Sequence, residues 1–196
     1  MKKRFLSLFI AIWLCTLTMT SCSAAEIPAA SGRAGSDSAK LTSESQPASS
    51  FSDVPASAWY AEAIAYCQQN GIMSGTTSTT FAPEATLTRA MLATVLHRMS
   101  NTPAVSDPPV FADAAAGSWY SDAVSWAAKN NIISGYGGGT FGVNDPTTRE
   151  QAVTILWRYA GSPDPGTALR FSDGDSVSSW AQAAVQWASA GDILEG

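Results

Sequence analysis

A spaced set of residues within 72–89 of this chain returns at 132–149. Ile72-Met73-Ser74-Gly75 returns as Ile132-Ile133-Ser134-Gly135, Thr80-Phe81 as Thr140-Phe141, and Thr88-Arg89 as Thr148-Arg149, always 60 residues on. Upstream, Phe51-Ser52-Asp53 returns as Phe111-Ala112-Asp113 and as Phe171-Ser172-Asp173. Trp59-Tyr60 returns as Trp119-Tyr120 and, with one residue inserted, as Trp180-Ala181. A chain written this way builds like units side by side, and each unit needs its neighbours to bury its apolar face. The third copy carries only its first half and reaches Gly196, which aligns with Gly75 and Gly135.

Read as local structure, each full copy predicts a helix, a glycine-bearing loop and a second helix. Trp119, Ala123, Trp126 and Ala127 recur at helical spacing, as do Trp180, Ala184 and Trp187, and Trp59, Ala63, Tyr66 and Cys67. Ser57, Ser118 and Ser179 stand where a side chain caps the orphan N–H groups of such helices. Gly71, Asn131 and Gly191 stand where a helix exits through the left-handed region. The glycines at 137–139 supply positive φ, and Phe81 and Phe141 anchor the loops to the core. The second helix opens at Thr88 or Thr148. Thr148-Arg149-Glu150-Gln151 reads as a capping box, and Met91 deprives copy one of its reciprocal half. The stretches Asn101–Pro109 and Gly161–Gly166 read as connectors. The fold class expected is all-α.

The motifs Phe-x-Asp, Trp, Gly-Ile-x-x-Gly and Thr-Phe-x-x-x-x-x-x-Thr-Arg, in fixed order over 51–196, resemble the S-layer homology (SLH) family of bacterial envelope proteins. On that resemblance the copies are 51–110, 111–170 and a truncated 171–196. The resemblance implies helix-loop-helix repeats in a pseudo-threefold bundle, with grooves between copies that hold a secondary cell-wall polysaccharide non-covalently.

Ahead of the repeats, residues 1–25 read as an export leader. Lys2, Lys3 and Arg4 precede the apolar run Phe5–Leu17, which is too short and too Thr-rich at its end for a membrane span. Met19-Thr20-Ser21-Cys22 resembles a bacterial lipobox, whose cysteine becomes the lipidated N-terminus, though Met departs from the usual Leu. Ordinary cleavage near Ala24 or Ala25 is the other reading, and both stand. Residues 26–50 hold Ile27 and Leu41 as their only large apolar side chains and read as a flexible linker. The leader carries three of the eleven cations and no acid, so eight cations face sixteen acids beyond it, a balance of −8. That argues against nucleic acid as a partner. An anionic polymer would have to be met by local arginines and not by the overall field. Cys15, Cys22 and Cys67 give no disulfide framework, and Cys67 reads as a small buried apolar residue.

Among candidate site residues, Arg89 and Arg149 sit in the first turn of a helix, where a cation opposes the macrodipole. A residue placed twice against that preference suggests a task. Its planar fork suits a carboxylate-bearing sugar; the plain alternative is an internal salt bridge to Asp53, Asp113 or Asp173. Those aspartates read as turn residues bonding their own backbone two residues on, and the resemblance adds contact with sugar hydroxyls or positioning of the arginine. Trp59, Trp119 and Trp180 suit either a sugar face or the core side of an amphipathic helix. Gly75 and Gly135 serve backbone conformation, and the resemblance places them at the groove. His97, opposite Trp157, keeps no chemistry between copies and reads as neither catalytic nor a ligand. Arg98 and Arg158 suit the last turn of their helix and read as structural. No Ser-His-Asp set and no metal-spaced His/Cys cluster is present, and the glycines at 137–139 lack the Lys-Ser/Thr of a phosphate loop. No metal and no cofactor is expected.

The leading reading is a non-catalytic, secreted module that binds a wall polysaccharide at the bacterial cell surface, with a lipid anchor at Cys22 if the lipobox is used. A second reading, a wall glycan hydrolase, would draw its carboxylates from Glu62, Glu84, Asp122 or Asp145, which do not recur as a matched pair inside one aromatic cleft. A third is an assembly protein whose truncated copy is completed by another chain. Apolar surface left open beside that copy predicts self-association.

Overall fold

The computed structural model describes residues 50–106, 111–166 and 171–194. The leader with Cys22, the linker to residue 49, and residues 107–110, 167–170 and 195–196 lie outside the described residues. Five α-helices are present there: α1 (Ala61–Gln69), α2 (Arg89–Met99), α3 (Ser121–Lys129), α4 (Arg149–Tyr159) and α5 (Gln182–Ala190), with a 3₁₀ turn at Gly174–Ser176. Extended pairing among the described residues is limited to two isolated bridges, Thr88 with Pro146 and Gly137 with Thr140.

The threonine starts behave as their sequence predicts. Thr148 Oγ1 accepts the Gln151 N–H at 3.2 Å, and Gln151 Oε1 accepts the Thr148 N–H at 3.2 Å, closing the capping box. Thr88 accepts from the Met91 N–H at 3.3 Å, and the methionine makes no return bond. The tryptophan helices depart from expectation. They begin after Tyr60, Tyr120 and Ala181, none of which gives a side-chain cap, so Ser57, Ser118 and Ser179 do not cap them. The chain instead enters through a backbone-bonded turn, with the Ala58 N–H on Pro55 O and the Ala61 N–H on Ala58 O, both at 2.9 Å. Those bonds satisfy the entering chain without a side chain, and they hold each tryptophan ahead of its helix. Gly71 and Asn131 take positive φ, but in copy three it is Asp192 (φ 52°) and not Gly191 that does so. The residue inserted before Trp180 shifts that register by one.

The repeating units are not the packing units. α2 packs on α3, and α4 packs on α5, so each helix pair straddles a boundary between copies. Leu92 and Leu96 of α2, Val124 of α3, Ile133, Phe141 and Leu156 of α4 lie in one fully buried cluster. Each such apolar side chain contributes about 1.5–3 kcal/mol over leaving it exposed. Val153 joins Ala184, Val185 and Ala188 of α5 in a second cluster, and Phe51, Ile64 and Phe81 form a third inside copy one. Trp187 and Ile193 touch both the first and the second, tying copy three to the rest. Cys67 is buried, and burial pushes its thiol up to about 11, so it is an unreactive filler.

His97 and Trp157 share chemistry after all. His97 Nε2 lies 3.0 Å from Pro103 O, and Trp157 Nε1 donates to Pro163 O at 2.8 Å. A carbonyl only accepts, so the imidazole proton is on Nε2. Both rings tie the end of their helix to the connector that follows. Arg98 Nη1 reaches Ile72 O at 3.3 Å, a structural bond within copy one.

Candidate functional site

The site grows from the Phe-x-Asp segment, which lies against the glycine loop of its own copy. Asp53 Oδ1 accepts the Phe81 N–H at 2.9 Å and Oδ2 the Ala82 N–H at 2.7 Å. Asp113 Oδ1 accepts the Phe141 N–H at 2.8 Å, and Oδ2 the Gly142 and Val143 N–H groups at 2.6 and 3.2 Å. These are clamps across 28–30 residues, which corrects the expectation of local turn bonds. The Phe81 N–H foremost, outweighing some desolvation, holds the Asp53 carboxyl below its ordinary value. For Asp113, burial pushes the carboxyl up, but the Phe141, Gly142 and Val143 donors outweigh it and the net shift is downward.

Glycine is required where the phenylalanine ring crosses the loop. A Cβ on Gly75 would stand 2.6 Å from Phe51 Cε1 and 2.7 Å from Thr80 O. On Gly135 it would stand 2.5 Å from Thr140 O and 3.0 Å from Phe111 Cε1. Asp173 is exposed; its backbone carbonyl takes the Ser176 N–H at 2.9 Å.

The two arginines have different surroundings. The first turn of α2 docks on the loop of copy two: the Arg89 N–H meets Asp145 O at 3.0 Å, the Ala90 N–H meets Val143 O at 3.2 Å, and the Thr147 N–H meets Leu87 O at 2.9 Å. Two orphan donors of the helix are met this way. The Arg89 side chain follows, with Nε on Phe141 O at 3.0 Å and Nη2 on Ser134 O at 2.6 Å. Its guanidinium carbon lies 4.5 Å from the Tyr136 ring centroid and 5.1 Å from that of Phe141. Arg89 is 5% exposed. Burial lowers its pKa from the ordinary value, while Tyr136, Asp145 and Asp113 favour the charged form. Its bonds go to backbone carbonyls and not to the aspartates the sequence offered. The arginine that looked misplaced against the helix dipole therefore has a structural gain, in the neighbouring copy.

Arg149, at the same place in α4, is exposed. Beside it Glu150 Oε1 accepts the Ser178 N–H at 2.9 Å, two residues before Trp180. That bond draws the entry turn of copy three to the helix turn that carries Arg149.

Trp59, Trp119 and Trp180 are 42%, 63% and 55% exposed. The core reading fails for them, because the entry turn sets them off the helix and the alanines at 61 and 181 take the buried place. Trp59 and Trp119 meet Tyr60 and Tyr120 edge-on at 5.4 and 5.1 Å, which fixes their rings without covering them. Tyr136 is also 55% exposed and was not singled out from sequence; the signal available was that copy one has Thr76 there.

Among the described residues no group of three or more His, Cys, Asp or Glu could hold a metal ion, and no helix is long and apolar enough to cross a membrane.

Comparison with known proteins fits this layout. Residues 50–91 and 110–153 match the family model for the S-layer homology domain. An endoglucanase of Bacillus sp. (strain KSM-635) is 30% identical over 151 residues, covering 74% of this chain and 16% of that one. An S-layer protein of Bacillus thuringiensis subsp. finitimus is 35% identical over 108 residues, covering 55% of this chain and 13% of its own length. The S-layer protein sap of Bacillus anthracis is 35% identical over 107 residues, covering 54% and 13%. The chain thus spans less than a fifth of each of these relatives.

Proposed function

This chain belongs to the S-layer homology family, and from that premise we propose that it is a non-catalytic module binding a secondary cell-wall polysaccharide. Repeats of this family anchor proteins to the cell wall, and the location is the cell surface or wall, reached by secretion. The observation that carries the reading is the exposure of the repeated tryptophans Trp59, Trp119 and Trp180. A fold that needed them for its core would bury them. The indoles of Trp59 and Trp119, each held edge-on by its tyrosine, offer a face to the C–H side of a pyranose ring.

Arg149, exposed on the turn that Glu150 ties to copy three, supplies a fork for a carboxylate on the polymer. Arg89 holds two copies together, so direct charge recognition falls to Arg149. In this reading the copies surround a pseudo-threefold axis with the tryptophans flanking the grooves, as the family resemblance implies. Asp53 and Asp113 are fastened to backbone N–H groups, which hold both carboxyls below their ordinary value. Both serve as clamps that close the loop of their own copy. A lipid at Cys22 would add a second tether to the same envelope.

The test is retention of the secreted chain on purified cell walls, before and after the non-peptidoglycan polymer is stripped. Retention on intact walls that disappears on stripped walls is expected. Equal retention on both overturns the proposal.

A further inference from the structure

The two glycine loops are not equivalent, and the difference builds something. Copy one has Thr76 and Ala82 where copy two has Tyr136 and Gly142. The two changes belong together. A Cβ on Gly142 would stand only 2.4 Å from Tyr136 Cε2 and 2.8 Å from Asp145 Oδ2, so the glycine clears the space in which the tyrosine ring lies. Ala82 holds the same left-handed conformation in copy one, φ 60° against φ 80° at Gly142, with no ring to accommodate. The backbone of copy two therefore does not need glycine for its shape alone.

Beneath the ring the guanidinium of Arg89 lies 4.5 Å from its centroid, a distance typical of a cation on an aromatic face. Arg89 is itself locked by Phe141 O and Ser134 O. One side of the tyrosine is thus seated on a fixed cation, its edge is fitted against a glycine, and the residue is still 55% exposed. The neighbouring glycines keep the approach open: a Cβ on Gly137, Gly138 or Gly139 would meet nothing within 4 Å. A ring fixed in place, half uncovered, beside a loop with no side chains is a preorganised surface. Binding to it costs little ordering of the protein.

We infer that Tyr136 is a stacking platform for one pyranose ring of the wall polymer, and that it makes the loop of copy two bind differently from that of copy one. The inference rests on the polysaccharide reading and adds a specificity residue to it. The sugar presents its C–H face to the exposed face of the ring. The phenol oxygen is free to exchange a hydrogen bond with a sugar hydroxyl, but the ring face supplies the main contact. Thr76 offers no such face, so copy one takes the polymer without it.

The experiment uses the full secreted chain and polymer released from purified walls. Tyr136→Thr copies the residue that copy one already folds with. It should weaken polymer binding about three- to tenfold in a chain that still folds, with a small drop in melting temperature from the lost contact with Arg89. Tyr136→Phe should bind nearly as the wild type. Independently of any variant, hydroxyl-radical footprinting of the wild-type chain should show the Tyr136 peptide protected when polymer is added. Wild-type affinity in Tyr136→Thr, or a Tyr136 peptide oxidised equally with and without polymer, overturns the inference while leaving the anchoring function intact. A wild-type chain that ignores the polymer removes the anchoring function itself, and that result is read in the same experiment.

Discussion

Arg89 and Arg149 occupy the same position in the same motif, 60 residues apart, one position after a capping threonine. One is buried, and its guanidinium crosses into the next copy to bind two carbonyls and lie over two rings. The other is exposed at the helix start. The Thr-Arg motif does not separate them, since both follow threonine and both open an amphipathic helix. What differs is the next copy. Copy two presents a glycine loop to Arg89, with Ser134 O and Phe141 O at the right distance. Copy three presents to α4 an entry turn and a helix. A repeat motif thus specifies a side chain, and the neighbour decides what that side chain does.

The largest effect expected from this contrast is on stability. Arg89→Ala should cost about 3–6 kcal/mol, taking ~1.5–3 kcal/mol for each of the two charge-assisted hydrogen bonds lost. Urea denaturation would measure it. Arg89→Lys should recover little, because an ammonium cannot reproduce the fork or its stacking on Tyr136 and Phe141. An Arg89→Ala protein as stable as the wild type would remove the structural half of the comparison.

A smaller cost is expected where the ring crosses the loop. Gly135→Ala puts a methyl group 2.5 Å from a backbone carbonyl, so the loop itself must move, at about 1–3 kcal/mol. A thermal melt that does not shift would show that the loop yields freely and is no firm seat for Arg89.

The aspartate clamps sharpen the comparison through pH. A carboxylate held below its ordinary value adds stability that is complete above the unfolded value of about 3.9 and is lost as pH falls through the lower folded value. Asp53 and Asp113 are both shifted downward. Stability attributable to them should be level from neutral pH to about pH 4 and fall only in stronger acid. Asp113→Asn should lower the plateau and flatten that acid limb, because an amide offers one acceptor where three N–H groups point. Denaturation midpoints over a pH series would show it, and an acid limb as steep in Asp113→Asn as in the wild type would contradict the clamp.

Much of this was legible in the sequence, and the parts that were not share a cause. The threonine caps, the positive-φ glycines, and Phe81 and Phe141 in the core follow from short-range chemistry that a spacing encodes. The capping serines failed because an entry turn of backbone bonds could replace them, and backbone bonds leave no residue signature. The aspartate clamps, the Arg89 bridge and the Tyr136 seat each join residues 28 or more positions apart. Periodicity within one copy does not report such contacts. The His97–Pro103 and Trp157–Pro163 bonds were within reach, since both prolines keep the 60-residue offset. Comparing donors instead of residue types would have found them. The exposure of Trp59, Trp119 and Trp180 was the open question that geometry had to answer, because a tryptophan at helical spacing suits a core as well as a surface.

The smallest expected change in stability belongs to the residue with the largest expected change in binding. Arg149→Ala should alter stability far less than Arg89→Ala does, because Arg149 is exposed where Arg89 is buried. Its effect on polymer binding is the most direct test of the division between the two arginines. Titration of purified wall polysaccharide into the wild-type and Arg149→Ala chains, with a melt of each, should show binding weakened by about 1.5–3 kcal/mol at an unchanged melting temperature. Undiminished binding, or an Arg149→Ala chain that unfolds as an Arg89 variant does, would contradict it.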